Sequence, residues 1–122
     1  MSTVLDASAI LAFLGDEQGA GLVEEALEDE ALCGAANWSE VAQKICAAGR
    51  DWSLVRALLV SYGMRVDPVT GDDAEWAARR WTRGEGLSLA DRLCLALAER
   101  ADADVLTADA AWGSTGRVRQ IR

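Results

Sequence analysis

The 122-residue chain is the length of one domain with its own core, and residues 1–122 are read as a single unit. Its net charge of −8 and pI near 4.4 exclude a protein that coats nucleic acid by charge alone, though not a nuclease whose metal ions bring the phosphate in. It has no histidine, so the common zinc, Ser-His and Cys-His chemistries are excluded, and catalysis must run on carboxylates, hydroxyls, arginines or a bound cation.

A hydrophobic fraction of 51% with a mean hydropathy of +0.05 points to extensive burial or a self-association surface. No apolar run approaches the ~20 residues needed to cross a bilayer, and no export signal is visible, so a cytoplasmic protein without membrane contact is expected. Cys33, Cys46 and Cys94 are odd in number and widely spaced among apolar neighbours. They are expected to be small buried residues in a reducing compartment, not disulfides or a zinc site.

From the N-terminus, Val4-Leu5 is a short buried strand, and Asp6 stands where it gives way to a helical apolar pattern through Leu14. Gly15 and Gly19 break that pattern. Leu22, Val23, Ala26 and Leu27 form a second amphipathic helix with an acidic outer face, and Ala31–Gly34 is a weak strand. Asn37 is expected to open a third helix closed by Gly49, and Trp52 to Tyr62 a fourth, ended by Gly63. Met64–Asp67 leads as a strand into Pro68. A fifth helix is predicted from about Asp72 to Arg83, and a sixth from Ser88 to Arg100, apolar almost all round and therefore buried. Asp104–Thr107 and Arg117–Ile121 are the last strands. Strands separated by helices imply an α/β fold: a three-layer α/β/α domain around a mainly parallel sheet.

Four acids recur at one kind of place. Asp6 and Asp109 follow strands, while Glu40 and Asp91 fall in first helical turns, three residues after Asn37 and Ser88. Each has an ordinary explanation, as a helix cap, a capping box or a turn aspartate. As a set they would meet at the edge where strands end and helices begin, which is where such sheets bind ligands. Four converging carboxylates repel one another, and a hard divalent cation with oxygen ligands resolves the conflict.

Val-Leu-Asp6-Ala-Ser8-Ala, Asn-Trp-Ser-Glu40-Val, Leu-Ser-Leu-Ala-Asp91-Arg and Leu-Thr107-Ala-Asp109 together resemble the motifs of PIN-domain proteins, and more narrowly of VapC-type toxins of bacterial toxin–antitoxin pairs. The resemblance covers essentially the whole chain and is loosest around Glu40. It implies a PIN domain with sheet order 3-2-1-4-5 and a Mg²⁺- or Mn²⁺-dependent endoribonuclease. The acidic quartet would be Asp6, Glu40, Asp91 and Asp109, with Ser8 and Thr107 as polar support. It further implies an RNA substrate, a homodimer, and a cognate antitoxin, a small basic protein suited to the −8 charge.

Among other residues, Trp76 and Trp81 are expected as core or dimer contacts, and Arg79, Arg80 and Arg83 cluster on one helix near the working edge. A phosphorelay receiver would need paired acids after the first strand and a lysine after the last, whereas the lone lysine is Lys44. An Asp-x-Asp phosphatase is excluded because Ser8 stands two residues beyond Asp6. The remaining alternative is a PIN-like module that binds a partner without catalysis.

Overall fold

The computed structural model describes residues 2–122. Five parallel strands, β1 (Thr3–Leu5), β2 (Ala31–Gly34), β3 (Arg65–Asp67), β4 (Asp104–Thr107) and β5 (Val118–Gln120), form one sheet in the order β3-β2-β1-β4-β5. Six helices connect them: α1 (Ala7–Leu14), α2 (Ala20–Glu28), α3 (Ala35–Ala47), α4 (Trp52–Ser61), α5 (Gly71–Arg80) and α6 (Leu89–Ala101). This is the three-layer arrangement and strand order expected above. Among the described residues no helix is long and apolar enough to cross a membrane.

Strand alternation divides the core in two. Leu5 and Cys33 face α1, α2, α3 and α4, where Ile10, Val23, Val41 and Leu59 are buried. Val4, Leu32 and Val105 face α6, meeting Cys94, Leu97 and Ala98. The short β2 has little strand propensity of its own. All four of its residues are buried between β1 and β3, so sheet pairing and two-sided burial decide its conformation. From Ala90 to Ala98 no residue of α6 is exposed, as its apolar sequence required.

Several local expectations are corrected. α3 begins at Ala35, so Asn37 lies inside the helix and is not its cap. α5 ends at Arg80 instead of Arg83, because Trp81 adopts an extended backbone conformation. Cys33 and Cys94 are buried, but Cys46 is exposed. Of the two places expected for Trp81, core or dimer contact, the core is ruled out, since Trp81 is 53% exposed, while Trp112 is buried. The arginines at and beyond the end of α5 have local tasks: Arg80 forms a two-point pair with Glu85, and Arg83 lies over the Trp81 ring.

One glycine matters for the site. Gly19, with φ +95°, turns the chain between α1 and α2, and a Cβ there would stand 2.5 Å from the Ile121 carbonyl oxygen. Only glycine lets the segment after β5 lie this close. That approach carries Arg122 over to Glu17, with Nη1 to Oε1 at 3.0 Å.

Candidate active site

Asp6 sits at the floor of a cavity of about 320 Å³ that is also lined by Glu40, Asp91 and Asp109. The chain therefore brings all four anticipated acids to one place. They form a gradient of exposure: Asp6 is buried, Glu40 and Asp91 are half-buried, and Asp109 is exposed at the rim.

Asp6 caps α1, with Oδ1 accepting from Ala9 N–H at 2.8 Å. Ser8 Oγ donates to the same oxygen at 2.7 Å, and Thr107 Oγ1 donates to Oδ2 at 2.6 Å. Each hydroxyl has one proton, and both shortest contacts go to Asp6. The Ser8–Thr107 separation of 3.2 Å is then a close approach with no proton left to share. The hydroxyls accept in turn, Ser8 from Ala108 N–H and Thr107 from Asp109 N–H. Thr107 thus links the acid of β1 to the backbone of the acid that follows β4. Burial pushes the Asp6 carboxyl above its ordinary range; the bonds from Thr107, Ala9 and Ser8 oppose this, and the Asp91 charge adds to it.

Asp91 and Ser88 form a full capping box at the start of α6. Asp91 Oδ2 accepts from Ser88 N–H at 2.9 Å, and Ser88 Oγ accepts from Asp91 N–H at 3.1 Å. The cap and the cavity-lining position are one and the same arrangement: capping aims the carboxylate from the helix N-terminus while its other oxygen stays available. Asp109 likewise caps the short 3-10 turn Ala110–Trp112 through Ala111 N–H.

Glu40 is held differently from the capping box that its spacing predicted. It lies in the second turn of α3, and its Oε1 accepts from Asn37 Nδ2 at 2.9 Å. Asn37 is only 1% exposed, and among the described residues its buried Oδ1 has no hydrogen-bond partner. A residue read from sequence as a helix cap is therefore the side chain that fixes Glu40.

Among the described residues Glu40 Oε2, Asp91 Oδ1 and Asp109 Oδ2 carry no hydrogen bond. No set of three or more acidic or cysteine side chains among them is drawn together as a finished metal cage. The donor chemistry nevertheless fits a hard cation: oxygen ligands only, a buried carboxylate whose charge is penalised, and neighbouring oxygens without partners. Burial, with the nearby charges of Asp6 and Glu40 adding to it, pushes the Cys33 thiol up to about 12, so it is no nucleophile at neutral pH.

Two cations line the cavity that the sequence did not single out for it, Lys44 and Arg122. Lys44, four residues after Glu40 on α3, had a visible signal in being the only lysine. The Arg122–Glu17 pair spans 105 positions and had none. The arginines expected near this edge, Arg79, Arg80 and Arg83, do not line it.

The family model for the PIN domain matches residues 3–118. A VapC ribonuclease of Mycobacterium bovis and ribonuclease VapC42 of Mycobacterium tuberculosis are each 36% identical to the chain over 107 residues, which is 79% of this chain and 82% of the relative. Among solved structures, a toxin–antitoxin complex from Klebsiella pneumoniae contains a chain with a TM-score of 0.80 at 19% identity, covering 98% of both chains. Mycobacterium tuberculosis VapC20, described as a sarcin–ricin loop cleaving toxin, gives 0.73 at 16% identity, covering 95% of this chain and 96% of that one. These two likenesses concern the fold.

Proposed function

The chain belongs to the PIN-domain family, and on that premise we propose that it is a ribonuclease acting as the toxin of a toxin–antitoxin pair. The observation that carries this reading is the convergence of Asp6, Glu40, Asp91 and Asp109 on one cavity from four different parts of the chain. A module that only bound a partner would have no need of it.

In the proposed reaction, water attacks the phosphorus of an RNA phosphodiester and passes its proton to a carboxylate. The P–O bond to the leaving sugar breaks, its electron pair going to the sugar oxygen, which takes up a proton from solvent. Asp6 and Asp91 would hold a Mg²⁺ or Mn²⁺ ion, with Glu40 and Asp109 either ligating or orienting the attacking water. When bound, such an ion neutralises charge on the phosphoryl oxygens and favours a nucleophilic water without histidine. The protein's own task is preorganisation. Thr107 and Ser8 fix both oxygens of Asp6, Asn37 fixes Glu40, and Ser88 fixes Asp91.

We further propose a homodimer, supported by the exposed leucines of α4, and inhibition by a small basic antitoxin that places an arginine against these acids. The test is incubation of purified protein with total RNA from its host, with Mn²⁺, with Mg²⁺ and with EDTA, followed by mapping of the cut ends. Metal-dependent cuts at defined positions that vanish in Asp91→Asn are expected. RNA left intact under all conditions, or cut equally by the variant, would overturn the reading.

A further inference from the structure

Five carboxylates line the cavity, Glu17 besides the four acids of the site, in a chain of net charge −8, and such a surface repels a phosphodiester backbone. A cation at its lip would offset that repulsion, and two are present. Arg122 is committed, with its guanidinium paired to Glu17 at 3.0 Å. Among the described residues Lys44 has no ion-pair partner, although it lines the same cavity as the acids.

The freedom of Lys44 needs a cause, because Glu40 lies four residues before it on α3. Glutamate followed by lysine at this spacing is the favourable orientation for a helical ion pair. Asn37 supplies the cause. It is buried within α3, and its Nδ2 takes Glu40 Oε1 at 2.9 Å, one turn back towards the helix N-terminus. The carboxylate is tied to the asparagine one turn back, and Lys44, exposed to solvent, lines the cavity without it. A lysine here suits a single phosphate as a compact point charge with three rotatable donors.

We propose that Lys44 is a substrate-binding residue of the active cavity, its ammonium gripping a phosphate of the RNA strand next to the scissile one. This rests on the ribonuclease reading above. Lys44 holds the strand and exchanges no proton in the reaction.

The distinguishing measurement is the salt dependence of binding. Each phosphate that a cation neutralises on a single strand adds about 0.7 to the slope of log affinity against log salt. Binding of a randomised, fluorescently labelled short RNA would be followed by anisotropy, across KCl concentrations, in the Asp91→Asn background to prevent turnover. Adding Lys44→Gln should lower the slope by about 0.7, and Lys44→Arg should restore it. In the cleaving enzyme, Lys44→Gln should raise KM several-fold with a much smaller change in kcat. If Lys44 is only a counter-ion for the acids, Lys44→Gln will leave the slope unchanged and tighten Mn²⁺ binding, and the proposal is overturned. If wild-type protein with Mn²⁺ neither binds nor cuts RNA at any salt, the ribonuclease reading falls as well, which separates the two failures.

Discussion

Replacing Asp91 by asparagine separates the two tasks the structure gives that residue. Asparagine keeps an oxygen that can accept from Ser88 N–H, now at 2.9 Å, so the hydrogen bond of the cap survives. What the helix loses is a negative charge in its first turn, about 0.3–1 kcal/mol. Against this, the Asp91 charge is one of the influences that push Asp6 up, so removing it relieves repulsion in the cavity. The two effects oppose each other, and metal-free stability should change by less than about 1 kcal/mol, or about 4 °C in Tm for a domain of this size. The response to metal should change far more. A site filled at a hundredfold excess over its dissociation constant stabilises the fold by about 2.7 kcal/mol, about 10 °C here. The variant should lose most of that gain together with RNA cleavage. Ser88→Ala supplies the opposite case. It removes the hydroxyl that accepts from Asp91 N–H and leaves the carboxylate in the cavity. It should melt lower by about 0.5–2 kcal/mol yet keep both the Mn²⁺ response and activity. Thermal melts of the three proteins in EDTA and in Mn²⁺, with cleavage assays on the same samples, decide the matter. If Asp91→Asn responds to Mn²⁺ as wild type does, Asp91 is a cap alone and the metal argument fails.

Thr107→Val keeps the volume but strips the hydroxyl from a fully buried residue, leaving Asp6 Oδ2 and Asp109 N–H without their partner. A loss of about 1–3 kcal/mol in urea unfolding is expected, and an unchanged midpoint would show that the link between β1 and β4 carries no stability. At the other end of α6, burial would raise the Asp73 carboxyl, but its bonds from Arg100 and Thr70 outweigh this and hold it below the ordinary range. A depressed folded value means the stabilisation is complete above the unfolded carboxylate range and is lost as pH falls through the folded value. Arg100→Ala should therefore cost about 1–2 kcal/mol at neutral pH, discounted because Arg100 is partly exposed. The difference from wild type should shrink in unfolding curves below about pH 4, and a pH-independent difference would contradict the argument. The homodimer predicts a light-scattering mass about twice 13.0 kDa. It also predicts that Leu54→Glu, at a residue 70% exposed on α4, reduces the mass to that of one chain; a wild-type monomer would refute it.

Sequence alone determined whatever is governed by neighbours a few positions away. The apolar period places β1, β4 and α6, and Ser88 three residues before Asp91 specifies a capping box that the fold contains. A hydrogen bond across one helical turn is written into the spacing of two residues. The strand order came from resemblance to a family, because periodicity shows that a segment is a strand and does not say which strand lies beside it. Local spacing also misassigned Asn37 as a cap. Backbone conformation starts the helix two residues earlier, and burial then turns the side chain to Glu40. The four acids of the cavity were anticipated from their places and from the resemblance, but only the tertiary structure decided what else lines it and what holds them. The bond from Thr107 to Asp6 spans 101 positions, and the one from Arg122 to Glu17 spans 105. Such pairs form because the parallel sheet sets β4 beside β1, and because Gly19 lets the chain beyond β5 close over α1. That proximity is created by packing the whole chain, and no local window of residues contains it.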